Sequence, residues 1–204
     1  MEMINIKVLS RTDELKRLNM ANGFSVEISE FLRASPKTRK IFLAIKENLV
    51  VGFAVVSDWE ALPSSKELEI IEVAKPFRGK GIGSLLMHNI IEDKTNALII
   101  TLAHSPEPSS QERLVKFYGK FGFEIIWEMS DREVFMARIP KCVDYLNFCK
   151  KYIEEKLEKF SYEDFHVTKV MRMWGRAYAP WLKMDVFVLR QLLERIHSHI
   201  RSHS

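Results

Sequence analysis

Val73-Ala74-Lys75-Pro76-Phe77-Arg78-Gly79-Lys80-Gly81-Ile82-Gly83-Ser84-Leu85-Leu86 is the stretch on which the reading of this chain turns. A strand-like run, Glu67 to Val73, stops at Pro76, and three glycines follow within five residues. From Gly81 to about Ile91 the apolar residues Ile82, Leu85, Leu86 and Ile90 recur at helical spacing. Glycines let a backbone approach a ligand with no Cβ in the way. The free amides and positive dipole end of a helix start favour an anion, and Arg78 and Lys80 add positive charge. The physical reading is a cradle for a pyrophosphate. It is not a P-loop, because Lys80 is followed by Gly81 rather than Ser or Thr. It is not the dinucleotide fingerprint either, because the third glycine position of G-x-G-x-x-G holds Ser84.

Working outward, the first 139 residues alternate between strand and helix patterns. Strands are predicted at Ile4–Val8, Lys40–Ile45, Val50–Val56, Glu67–Val73, Ala97–Leu102, Phe123–Trp127 and Glu133–Ala137. Lys46 to Leu49 is a hairpin-sized link with Asn48 as its turn residue. Helices are predicted from Glu14, from Ser25 through Leu32, from Gly81, and from Gln111 to Phe121. A Pro/Ser loop, His104 to Ser110, precedes the last of these.

Arg78, Gly81 and Gly83 fit the pattern Arg-x-x-Gly-x-Gly, and Phe117-Tyr118-Gly119-Lys120-Phe121-Gly122-Phe123 carries Tyr-x-x-x-Gly-Phe. The two motifs lie 35 residues apart, Gly83 to Tyr118, with one strand between them. Together they resemble the GNAT superfamily of acyl-CoA-dependent N-acetyltransferases, over about residues 3–139. The resemblance implies an α/β (α+β) fold: a mixed, largely antiparallel sheet with splayed central strands (67–73 and 97–102), flanked by helices. It implies acetyl-CoA as co-substrate and no metal. Backbone groups at Val73 and Ala74 would pair with the pantetheine arm. Arg78, Gly79, Lys80, Gly81, Ile82, Gly83 and Ser84 would hold the pyrophosphate. Where the family often has Asn, seven residues before Tyr118, this chain has Gln111, which keeps the amide on a longer arm. Tyr118 would protonate the leaving thiolate, and an amine would attack the thioester directly.

An attacking amine must first lose a proton, since a lysine-like amine with a reference pKa of about 10.4 is mostly charged at neutral pH. Strict alternation along the strand puts Glu67 and Glu69 on the side of Val73 and Glu72 on the other. Glu67 stands at the position most similar to the family's base. Glu69 is the alternative, His104 a third candidate, and Glu72 is read as structural.

Composition sets the rest. The chain has 204 residues, 47% of them apolar and 28% charged, with a formal net charge of +4. That is the balance of a globular chain, not a disordered one. The longest apolar run, Leu49 to Val56, is strand-sized, and the N-terminus lacks the unbroken apolar stretch of a signal peptide, so a cytoplasmic address and no membrane are expected. From Lys141 onward there are 12 Lys and Arg against 8 Asp and Glu, which accounts for the whole surplus of charge. This shift near Pro140 divides a domain at 1–139 from a helical extension at 140–204. One apolar stripe, Cys142 to Phe160, gives a helix over about Lys141–Lys159, and a second, Val186 to Ile200, gives the last helix. Between them lies an aromatic, basic segment, Met171 to Trp181. Packing of this tail on the domain or in a homodimer is preferred to a nucleic-acid surface. Cys142 and Cys149 are too far apart along a helix to bridge and are expected to be buried. His199 and His203 share a face but are assigned no metal, and Ser198–Ser204 is expected to be a loose end. The function class is an N-acyltransferase acting on a primary amine. The alternative is a non-catalytic CoA-fold module whose tail binds a protein or nucleic acid.

Overall fold

The alternating runs become strands, and their register decides which residues share a face. The computed structural model describes residues 4–10, 12–26, 28, 39–94, 96–104, 108–174 and 179–203. The strands are β1 (Asn5–Leu9), β2 (Asn19–Met20), β3 (Arg39–Lys46), β4 (Leu49–Asp58), β5 (Lys66–Val73), β6 (Ile99–His104), β7 (Phe123–Glu128) and β8 (Glu133–Arg138). The helices are α1 (Ile82–Asp93), α2 (Pro108–Gly119), α3 (Val143–Trp174) and α4 (Ala179–His203), with short 3-10 turns at Thr12–Arg17 and Lys75–Phe77. The strand order is β1-β3-β4-β5-β6-β8-β7, with β2 on β4. This is the mixed, largely antiparallel sheet with flanking helices that the resemblance implies. The helix expected from Ser25 through Leu32 falls mostly outside the described residues, as do the side chains of 160–186 and with them the aromatic, basic segment. Among the described residues, no helix is long and apolar enough to cross a membrane.

The residues pack as two units, Met1–Trp59 with Ser65–Thr101, and Glu60–Ser64 with Leu102–Ser204. In the first unit β4 is central: every residue from Val50 to Ser57 is buried. On one face Ile41, Leu43, Phe53 and Val55 build a core with Leu9, Leu15 and Ile28. On the other, α1 lies across β3, β4 and β5. Lys46 and Leu49 flank a two-residue turn in which both Glu47 (φ 49°) and Asn48 (φ 64°) have positive φ, the pattern that suits the twist of a tight hairpin.

Strict alternation fails in β5. Val56 pairs with Leu68 but Val55 pairs with Ile70, so Glu69 is one residue extra on β5. A bulge of this kind switches the facing of everything beyond it. Ser57↔Glu67, Val55↔Ile70 and Phe53↔Glu72 share the face of the Leu9–Phe53 core, while Leu68, Ile71 and Val73 share the face of α1. Glu67 and Val73 therefore lie on opposite faces and Glu67 and Glu72 on the same one, which corrects the expectation from alternation. Pairing of β5 with β6 is parallel and covers Lys66↔Ile99 and Glu67↔Ile100. At the next residue the Leu68 carbonyl accepts a bond from Thr101 Oγ1 at 3.0 Å.

In the second unit β7 and β8 pair antiparallel, with α2 against both. Helices α3 and α4 pack together, and α4 packs on β7. Phe187 meets the Trp127 ring at 4.5 Å, and His199 Nε2 lies 2.7 Å from Glu124 Oε1. These contacts carry α4 to His203, so Ser198–His203 is helix rather than a loose end. His199 and His203 stack at 6.2 Å, but among the described residues no cluster of three or more ligands could hold a metal. Helix α3 buries Leu146, Cys149 and Ile153. Cys142, expected to be buried, is exposed, because it precedes the first turn and accepts the Leu146 N–H there. Burial pushes the Cys149 thiol above its ordinary range. From α3, Tyr145 Oη reaches the Ser64 carbonyl (3.2 Å) and Lys156 Nζ the Ala61 carbonyl (2.8 Å).

Helix α1 is pressed against β4 at Gly52, where an added Cβ would lie 3.0 Å from Ile82 Cγ2, 3.2 Å from the Glu72 carbonyl and 3.3 Å from Leu86 Cδ1. Replacing Gly52 with Val should destabilise the fold by about 1–3 kcal/mol through overpacking. Urea unfolding followed by circular dichroism checks this, and an unchanged midpoint would mean that α1 yields at no cost.

Candidate functional site

The segment after β5 is built by short-range bonds. Ala74 N–H donates to the Val51 carbonyl (3.0 Å), and the Ala74 carbonyl accepts the Phe77 N–H (2.8 Å). Both main-chain groups of Ala74 are thus engaged within the protein. Because the Ala74 N–H points to β4, those of Val73 point to the opposite edge of β5. The Val73 carbonyl there accepts Arg78 Nε at 2.9 Å. Val73 is accordingly the residue at this point of β5 whose N–H faces outward.

Next come Gly79 (φ 76°) and Gly81 (φ 79°), both left-handed, the conformation that favours glycine. A Cβ at either would meet nothing within 4 Å, so the ground above the loop is open. Gly81 caps α1, whose first turn has no side-chain cap bond and no acidic residue. Its early N–H groups are therefore available to an anion. Lys80 lies over the Phe77 ring at 5.3 Å, and Ile82 is buried against Gly52 while Gly83 and Ser84 are partly exposed. Arg78, Gly79, Lys80, Gly81, Ile82, Gly83 and Ser84 thus come together as one exposed turn on a buried anchor.

Glu72 braces this turn. Its carboxylate accepts from Ser25 N–H (2.5 Å), Ser25 Oγ (2.6 Å) and Val26 N–H (3.3 Å), and Arg78 Nη2 lies 3.6 Å away. A structural role was expected for Glu72. Its partners were not legible, because they lie 46 and 47 residues away in sequence.

Glu69 receives both Nε (2.8 Å) and Nη2 (2.6 Å) of Arg39, a bidentate pair with side chains only 10% and 7% exposed. Taking a proton there means breaking a buried ion pair. Glu67 shares the row Arg39–Ser57–Glu67 across three strands. Arg39 and Ser57 are residues that sequence reasoning missed. The signal was an Arg one residue before a strand pattern, which is ordinarily a solvated strand end.

The second unit holds the remaining candidates. Tyr118 is 4% exposed in the last turn of α2, with its ring edge-on to Phe117 (5.4 Å) and tilted against Phe123 (5.6 Å). Gly122 at φ 79° ends the turn and feeds β7. Gln111 is buried; its Nε2 donates to the Ala103 carbonyl (2.8 Å), and its Oε1 is buried without a partner. The longer arm of Gln therefore leaves an acceptor, not a donor, unsatisfied. His104 is exposed, with Nδ1 at 3.4 Å from Glu133 Oε1.

Comparison with known proteins bears on the fold. Residues 37–125 match the family model of the acetyltransferase (GNAT) domain. The acetoin utilization protein of Exiguobacterium sibiricum has the same fold, with a TM-score of 0.52 at 19% identity over 69% of this chain and 88% of that one. Escherichia coli ElaA gives 0.47 at 17% identity over 67% of this chain and 99% of its own. A GNAT family acetyltransferase from Elizabethkingia anophelis, solved with acetyl-CoA bound, gives 0.44 at 19% identity over 66% and 94%. Of the three, the first alone carries weight for the fold. No curated protein sequence matches the chain significantly. Both motifs fall on the matched residues, so over residues 37–125 this chain is similar to the acetyltransferase (GNAT) domain.

Proposed function

We propose that the protein is an N-acetyltransferase that moves the acetyl group of acetyl-CoA to a primary amine by direct attack in a ternary complex. Residues 1–139 act as the catalytic domain and 140–204 as a helical extension. The observation that carries this reading is the turn at 78–84, where two left-handed glycines with open space above them lead into a helix start that no side chain caps.

The amides of Gly79 to Ser84 would hold the pyrophosphate, and the outward N–H of Val73 would pair with the pantetheine arm. Gln111 Oε1 supplies an acceptor for an amide N–H. Acetyl-CoA supplies the thioester carbonyl. Glu67, at the position most similar to the family's base, takes the proton that the amine must lose; Glu69, the alternative, is bound on both oxygens by Arg39. Tyr118 gives a proton to the leaving thiolate. The charged amine gives its first proton to Glu67; as the C–N bond forms and the C–S bond breaks, Tyr118 gives a proton to sulfur and takes up the second proton that nitrogen loses, so that the amide, the free thiol and protonated Glu67 result.

Acetyl-CoA at about 100 times its dissociation constant should stabilise the protein by about 2.7 kcal/mol, read as a rise in melting temperature. No rise would point instead to a module that does not bind it. Gly81→Val should remove that rise. It places a Cβ in the open ground and costs about 1–2 kcal/mol for a side chain in left-handed backbone, so its own melting temperature should also drop while the chain still folds.

Tyr118→Phe keeps the ring packing and should keep the rise, yet lower turnover by about 10²–10⁴-fold. Thiol release across a panel of amines measures it. Full turnover in this variant would take Tyr118 out of the acid role.

A further inference from the structure

We propose that Arg138 binds a carboxylate of the acceptor, so that the amine acetylated belongs to a small molecule that also carries a carboxylate. The inference deepens the reading above and rests on Tyr118 lying at the reaction centre. Arg138 ends β8, and the register sets it directly opposite Phe123 of β7. Opposed residues of an antiparallel pair share a face, with Cβ atoms about 4.5–5.5 Å apart. That face is the α2 face, because the Phe123 ring meets the Tyr118 ring at 5.6 Å. The Arg138 side chain therefore starts beside the ring on which Tyr118 packs.

Its guanidinium lacks a counter-charge there. Arg138 is only partly exposed, and its Nη1 is buried with no hydrogen-bond partner. Burial lowers its pKa and no carboxylate raises it back, yet a guanidinium stays charged. An unpaired charged donor out of water is costly, and such a group calls for an explanation. Among the described residues, the carboxylates of β7 and β8 do not supply one. Glu124 is on the other face, bound to His199, and Glu133 lies by His104 at the opposite end of β8. Glu128 shares the face but stands opposite Val134, four residues along the strand and about 13 Å away. The buried residues of α2, Gln111 and Tyr118, carry no charge.

A carboxylate fits this group, because a planar guanidinium can take its two oxygens side by side. An acceptor held at one end attacks from fewer orientations, and an acceptor bearing only positive charge is disfavoured beside the same cation. The test is thiol release from acetyl-CoA by the full chain, comparing each amino acid with its carboxamide, which keeps the amine and side chain and loses the negative charge. At least one amino acid should exceed its carboxamide in kcat/KM by about 10–100-fold, the range of one hydrogen bond between charged groups. In Arg138→Met that ratio should collapse toward one, chiefly through KM. Arg138→Lys, which keeps the charge but not the fork, should recover part of it. Because Met removes an unpaired cation, Arg138→Met without ligand should melt no lower than the wild type.

A lower melting temperature with an unchanged ratio would assign Arg138 to the fold and overturn the proposal. So would a smaller stabilisation of Arg138→Met by acetyl-CoA, since the anion would then be one of the cofactor's phosphates. If Arg138→Met does not fold, the wild type and Arg138→Lys decide: the proposal fails if no amino acid outruns its carboxamide, or if the Lys variant keeps the full ratio. Thiol release also separates this inference from the parent reading. No release with any amine removes the transferase reading and this proposal with it, whereas release that ignores the carboxylate removes only the role of Arg138.

Discussion

β5 has one residue more than β4 between Leu68 and Ile70, and the rest of the site depends on that surplus. A strand kept in strict alternation would send Glu69 to the helix side, away from Arg39. The bulge is therefore what lets the bidentate Arg39–Glu69 pair form. The same extra residue sets Val73 on the α1 face at the end of the strand, directly before the glycine turn. Immediately N-terminal to the bulge, the ladder between β5 and β6 gives way to a side-chain bond from Thr101. One insertion in the register thus places a polar row on one face and the start of the anion turn on the other.

Magnitudes rank the contributions at that turn. A helix dipole gives a nearby anion about 0.3–1 kcal/mol at an exposed site. Hydrogen bonds to charged groups are worth about 1.5–3 kcal/mol each, so a few backbone amides outweigh the dipole. Arg78 is the obvious cation of the motif, yet its guanidinium is tied back to the Val73 carbonyl and lies near Glu72. At 55% exposure such a contact adds little stability by itself. The value of Arg78 here is geometric: it folds the turn back onto the strand end and keeps the glycine amides facing outward.

Much of this was legible in the sequence, for identifiable reasons. The glycine turn declares itself, because positive φ, an exposed helix start and a preceding strand leave separate marks at adjacent positions. The hairpin after Lys46 is similar, although the positive φ at Glu47 carries no compositional mark. The bulge leaves only one mark, the adjacent Ile70 and Ile71 that break the alternation of Lys66–Val73. Which residue is the extra one is decided by the partner strand. Arg39 was invisible as a partner of Glu69 for the same reason: 30 residues separate them, and only the register of three strands brings them together. In the tail the stripes of α3 and α4 were readable, but their ends were not. Helix α3 runs on to Trp174, past the last residue of its apolar stripe. Helix α4 persists to His203 because Glu124 and Trp127, far away in sequence, receive its side chains.

The anchoring of Ala61 and Ser64 by Lys156 and Tyr145 bears on how the tail can be studied. Those two side chains hold main-chain oxygens of the loop that joins β4 to β5, while Phe187 packs on Trp127 of β7. Deleting everything after Pro140 would therefore strip a connecting segment of its tethers and lay bare an aromatic strand surface prone to self-association. Loss of activity in such a shortened protein would report collapse of that scaffolding, and the contribution of the tail is better dissected by single side-chain changes along α3.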